Sequence, residues 1–204
     1  MTSKLQHTEP TVNQHAASEE EQWFNERLFK TRTILLSGTV NDELARRVIQ
    51  SVLILEADNP ERPINIIINS GGGSVTSGFG IYDVLKYVKP QIRCISAGLT
   101  ASIATIIMLA AAKEHRYSLP NSRLLIHQPL IPFTMFGPAS DLEITAQEIV
   151  KTRAKINEML SEECGQPLDK VVKDTARDYW MSAEESVEYG LITKIIQSRA
   201  DLGE

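Results

Sequence analysis

The spacing of apolar residues along this chain changes at intervals, and the changes predict alternating strands and helices. Ile64-Asn65-Ile66-Ile67-Ile68-Asn69 is nearly continuous in apolar residues, as in a strand buried on both faces. Thr33 to Leu36, Ile92 to Ala97 and Arg123 to His127 read the same way. Between them the period becomes helical. Leu44, Val48, Val52 and Leu55 recur at three- and four-residue steps after Asn41, a good N-cap. A second helix is predicted from about Val75 to Val88, stopped by Pro90. A third, small and apolar, follows the break at Gly98, starting near Thr100 or Ala101 and reaching Ala112. It is too short to cross a bilayer, which takes about 20 residues.

Three strand–helix units therefore precede His127. Such alternation argues for a parallel sheet with right-handed crossovers, whose sites lie at the carboxyl ends of the strands. After His127 the pattern changes. Ile131 to Pro138 is an apolar loop with two prolines. Ser140-Asp141-Leu142-Glu143 reads as a capping box for a long helix to about Glu163, stopped by Gly165. Ser182-Ala183-Glu184-Glu185 reads as a second box, for a short helix ending at Gly190. Leu191 to Ile196 reads as a last strand. Residues 1–18 lack apolar periodicity and read as a flexible arm. Glu19 to Lys30 reads as a helix with Trp23, Phe24 and Leu28 on one side. The expected organisation is the arm, one domain over 19–197 and a tail over 198–204.

Composition narrows the functional classes. A net charge of −5 argues against general nucleic-acid binding. The two cysteines, Cys94 and Cys164, make neither a disulfide framework nor a metal-ligand spacing. The polar N-terminus carries no secretory pattern, so the cytoplasm is the expected location. Ser70-Gly71-Gly72-Gly73-Ser74 lies where strand gives way to helix, a place where backbone N–H groups can face an anion. It is not a nucleotide loop of the Walker kind, because no Gly-Lys pair occurs in the chain.

Two residues carry candidate chemistry. Ser102 is expected in the first turn of the apolar helix, where N–H groups lack intrahelical partners. A serine there can attack a carbonyl while nearby N–H groups hold the oxyanion. Alone, such a serine is more often a cap. His127 ends a buried strand and can act as a base, since imidazole titrates near neutrality. Alone, it is more often a hydrogen-bonded core residue. One helix and a return strand separate the two, which permits their meeting without requiring it.

Several motifs in order then carry a family resemblance. They are Ile68-Asn69-Ser70-Gly71-Gly72-Gly73-Ser74-Val75, Gly98-Leu99-Thr100-Ala101-Ser102, Leu119-Pro120-Asn121-Ser122-Arg123 with Ile126-His127-Gln128-Pro129, and Arg177-Asp178-Tyr179-Trp180-Met181-Ser182-Ala183-Glu184-Glu185, closed by Glu188 to Ile192. Over roughly residues 20–197 the chain resembles the ClpP proteases. The resemblance implies an α/β, ClpP/crotonase-like fold of repeated β-β-α and βαβ units, with a protruding helical handle at about 131–163. It implies a serine endopeptidase in stacked heptameric rings with the active sites inside. It also implies Ser102 as nucleophile, His127 as base, Asp178 as the acid that orients it, and the N–H groups of Gly73 and Ile103 as oxyanion hole. Asp174 lies one helical turn before Asp178, and spacing alone does not choose between them. No metal or cofactor is expected in the chain itself; ATP would be used by a separate Clp-type unfoldase. Peptides and proteins are the implied substrates, with neither nucleic acid nor membrane as partner.

The chain also departs from the family pattern. Gly71 stands in place of a usual proline. Ile67 stands where a tyrosine commonly lines the pocket that docks the ATPase. Ala176 stands where an acid usually precedes the Arg-Asp pair and helps rings meet. Ile131 to Ser140 replaces a glycine-rich strand, and the arm lacks the usual gating pattern. Because these departures fall on assembly surfaces, a second ClpP paralogue is an expected ring partner. Two alternatives stay open: a silent or weakly active subunit completing mixed rings, and a crotonase-type acyl-CoA enzyme on the shared fold.

Overall fold

A computed structural model describes residues 23–24, 26–130 and 137–203. The expected arm over residues 1–18, and Ile131 to Phe136 of the proline-bearing loop, lie outside the described residues. So does part of the expected first helix, of which 26–30 is helical.

The long apolar runs become the strands of one sheet. β1 (Thr33–Ser37), β2 (Ile64–Ser70), β3 (Ile92–Ala101), β4 (Arg116–Ser118) and β7 (Lys194–Ile195) lie side by side in the order β1-β2-β3-β4-β7, all parallel. β5 (Arg123–Ile126) also joins β3 in parallel, but farther along it, at Leu99 to Ala101 rather than Cys94 to Ser96. β6 (Tyr179–Met181) pairs antiparallel with β5. β3 therefore has two partners on one edge, first β4 and then β5. The change falls at Gly98, where the register against β2 shifts.

The helices cover the sheet with the faces their periodicity assigns. α1 (Asp42–Asp58) buries Leu44, Ala45, Val48, Val52 and Leu55, and the Asn41 side chain accepts from the Leu44 N–H as its cap. α2 is Val75–Tyr87 and α3 Ile103–Met108. α3 is buried along its whole length and stops well before Ala112, so the apolar run is helical only in part. α4 (Ala139–Cys164) buries Ile156, Asn157, Leu160 and Cys164, all in its second half. Its first half extends beyond the core. α5 (Leu168–Asp174) and α6 (Ala183–Tyr189) complete the set.

Two capping expectations separate here. Ser182 and Glu185 form the reciprocal box that opens α6. Ser140 does not cap α4. The helix starts at Ala139, with the Asp141 and Leu142 N–H groups already bonded to the Pro138 carbonyl, so Ser140 lies inside the first turn. The last strand is shorter than Leu191 to Ile196. Of the tail, Arg199–Leu202 forms a 3-10 turn, with Leu202 packed beside Ile95, Tyr117 and Ile196.

Candidate active site

Ser102 does not sit inside a helix. Pairing of Leu99, Thr100 and Ala101 with Arg123, Leu124 and Leu125 keeps β3 extended up to Ala101. Gly98, at φ +83°, bends the strand without ending it, and the Asn69 side chain accepts from the Leu99 N–H at 3.2 Å. The chain then turns sharply at Ser102, with φ 59° and ψ −129°, and α3 begins at the next residue. A non-glycine residue at positive φ costs of order 1–3 kcal/mol and needs its surroundings to hold it. Here the Ser102 N–H donates to the Leu125 carbonyl at 3.0 Å, and its own carbonyl accepts from the Thr105 hydroxyl at 2.6 Å. The serine is thus fixed at a strand-to-helix elbow, although the Gly-x-Ser-x-Gly motif of such turns is absent. Its hydroxyl makes no cap hydrogen bond. It lies 2.8 Å from His127 Nε2.

His127 is the first residue after β5, and Asp178 the last before β6. The antiparallel pairing of Ile126 with Tyr179 brings these two ends together. His127 Nδ1 lies 2.9 Å from Asp178 Oδ1. A carboxylate at Nδ1 accepts a hydrogen bond from that nitrogen's N–H, which keeps the proton on Nδ1 and leaves Nε2 free to accept from the Ser102 hydroxyl. The imidazole is mostly covered, at 16% exposure, whereas the Asp178 side chain is 62% exposed. Asp174 is engaged elsewhere. Its Oδ2 accepts from Lys170 Nζ at 2.7 Å and from the Tyr189 hydroxyl at 3.1 Å. Burial, then the adjacent Asp174 charge, push the Tyr189 hydroxyl above its usual range. Of the two acids that spacing leaves equal, Asp178 is the one that meets His127.

The glycine turn lies against this group. A Cβ on Gly72 would fall 2.6 Å from Ser102 Cβ, so only glycine allows the turn to approach so closely. Gly73 forms a parallel bridge with Val40, made by its neighbours: Ser74 N–H donates to the Val40 carbonyl and Val40 N–H to the Gly72 carbonyl. The Gly73 N–H therefore points away from Val40. Ile103 opens α3, where an N–H has no intrahelical acceptor. A Cβ on Gly78 would fall 2.1 Å from Ile103 Cγ1, so this glycine lets α2 seat directly on the start of α3. Gly72 and Gly78 carry no reactive side chain, and the sequence gives no sign that sets Gly78 apart.

A small cleft of mixed polar and apolar lining adjoins Ser102 and His127, with Val75, Ile103, Thr105, Ile126 and Ile156 among its walls. A separate cavity of about 220 Å³ is lined by Ile67, Ile95, Leu119, Ile196 and Leu202, among others. Among the described residues, no group of three or more His, Cys, Asp or Glu side chains could hold a metal ion. Among the same residues, no helix is long and apolar enough to cross a membrane.

The chain is similar to known proteins over most of its length. A family model described as Clp protease matches residues 17–199. The chain is 45% identical over 179 residues to the ATP-dependent Clp protease proteolytic subunit 2 of Treponema denticola, covering 88% of each protein. It is 44% identical over 188 residues to the protein of the same name from Treponema pallidum, covering 92% of this chain and 93% of that one.

Proposed function

This chain belongs to the Clp protease family, a family of serine peptidases, and from that premise we propose that Ser102, His127 and Asp178 are its catalytic triad. The observation that carries the reading is the continuous hydrogen-bonded path from the Ser102 hydroxyl through the imidazole to the Asp178 carboxylate. In this reading His127 Nε2 takes the serine proton as Oγ attacks the scissile carbonyl. The oxyanion accepts hydrogen bonds from the Gly73 and Ile103 N–H groups. His127 then gives the proton to the leaving amine, and water hydrolyses the acyl-enzyme by the same steps in reverse. Asp178 holds the imidazole in the tautomer that starts the cycle and stabilises the imidazolium. An acyl-CoA enzyme on this fold would have no use for a serine–histidine–aspartate path.

The finer setting is also proposed. The subunits form paired heptameric rings, and a separate Clp-type ATPase supplies unfolded protein at the expense of ATP. The cavity around Ile67 and Ile95 suits an apolar anchor from that ATPase. Both relatives are numbered as subunit 2, which favours a second reading in which this chain shares its complex with a differently numbered subunit. The absence of an acid at Ala176 supports it, because two identical rings would then lack one side of a reciprocal charge pair with Arg177.

The test is hydrolysis of a short fluorogenic peptide and of a folded protein, with and without a Clp ATPase and ATP. The peptide should be cleaved by the rings alone and the folded protein only with the ATPase present. Ser102→Ala should remove both activities with assembly intact. Peptide cleavage that survives Ser102→Ala in pure protein would refute the assignment.

A further inference from the structure

The Asp178 carboxylate is largely open to solvent, so its own surroundings do little to hold it against His127. What fixes it is the backbone on either side. Downstream, Tyr179 pairs with Ile126. Upstream, the 175–176 peptides are held by Gln128, through two separate bonds. The Gln128 backbone N–H donates to the Thr175 carbonyl at 2.7 Å. Its side-chain Nε2 donates to the Ala176 carbonyl at 2.9 Å. A carbonyl can only accept, so the amide must present its NH₂ here.

Thr175 is itself a firm anchor. It is fully buried, and its hydroxyl bonds to Asn157 Oδ1 at 2.9 Å and the Val171 carbonyl at 2.8 Å. Three consecutive residues, Ile126, His127 and Gln128, thus hold three successive parts of the segment 175–179. Of the bonds that Ile126, His127 and Gln128 make to this segment, the one from the Gln128 side chain can be removed by mutation without touching the histidine or the strand pairing.

We propose that Gln128 is a positioning residue: by fixing the Ala176 carbonyl it sets where the Asp178 carboxylate meets His127. This rests on the triad reading. Loss of the side-chain bond would leave the Thr175 backbone bond in place. The fold should survive while the acid samples positions away from Nδ1.

The test is a double-mutant cycle on the assembled protein, with kcat and KM for a short peptide and thermal unfolding as readouts. Gln128→Met, of similar length but without a donor, should lower kcat by about tenfold, the size of one well-placed hydrogen bond. KM and the unfolding temperature should hardly change. In an Asp178→Ala background the same substitution should cost nothing further. Gln128→Lys, which restores an N–H donor of similar reach, should recover kcat. If Gln128→Met leaves kcat within about twofold, or lowers it equally in both backgrounds, the proposal fails. If Gln128→Met unfolds the protein and Gln128→Lys folds without recovering kcat, it fails as well. A slow Asp178→Ala enzyme in any of these cases leaves the triad reading standing. An Asp178→Ala enzyme as fast as the parent would remove both.

Discussion

Two pairs in this molecule each join a nitrogen-bearing side chain to a carboxylate from a distant segment, and they are built to opposite ends. Arg116 is fully buried. Its guanidinium donates to the carbonyls of Leu109, Ala111 and Glu163 and pairs with the Glu163 carboxylate. Lys86 takes the other Glu163 oxygen. Every nitrogen of the guanidinium has a partner, and it closes the backbone groups left where α3 stops early and α4 ends. His127 uses each ring nitrogen once, its acid is exposed, and its path ends on a hydroxyl that lines a small cleft. A pair whose donors are spent on backbone carbonyls stabilises a fold. A pair that terminates on a strained serine leaves an unspent proton acceptor, and that is where chemistry can occur.

Substitution should separate the two pairs cleanly. The largest effect is expected at the open one. Asp178→Asn should lower kcat for peptide hydrolysis by about 10⁴-fold, because the amide favours the wrong histidine tautomer. The unfolding temperature should barely move, since the side chain is mostly solvated. A large drop in stability with kcat maintained would reverse the roles assigned to the two pairs.

Arg116→Met should do the opposite. Removing one partner of a buried pair typically costs about 3–5 kcal/mol, and here three carbonyls also lose a donor. Chemical denaturation should show that loss. Protein that remains folded should keep its kcat per active site.

The smallest effect concerns the cysteines near Arg116. Burial pushes both the Cys94 and Cys164 thiols up to about 12, against a partial opposing pull from Arg116. Both should resist alkylation at pH 8 in the native protein and react on unfolding. The unfolded chain releases these protons at lower pH than the folded one. Stability should therefore be unaffected by them below the ordinary thiol range, and should fall as pH rises from there toward 12. A native thiol that reacts rapidly at pH 8 would show that this region opens.

The parts of the fold visible in the sequence are those whose burial is continuous. Ile64 to Asn69 and the face of α1 needed no partner to be recognised. β4 and β6 were not visible. Arg116–Ser118 and Tyr179–Met181 are three residues each, and they are strands only because β3 and β5 lie beside them. Pro138 displaced the expected cap at Ser140. At the site, Ser102 and His127 stood out by residue type and position, but the elbow at Ser102 depends on β3 extending past Gly98 through a long-range pairing. Asp178 rather than Asp174 follows from the β5–β6 register, which spacing does not contain. The same register explains why Gln128 gave no signal: its partners are backbone carbonyls far along the chain.

The most direct measurement is covalent labelling with a fluorophosphonate, followed by peptide mass mapping. The serine, histidine and acid already meet within one chain, so the expected result is a single adduct on Ser102, lost in His127→Ala. An intact, folded protein that takes no adduct, or takes it on another residue, would contradict the assignment of Ser102 as nucleophile.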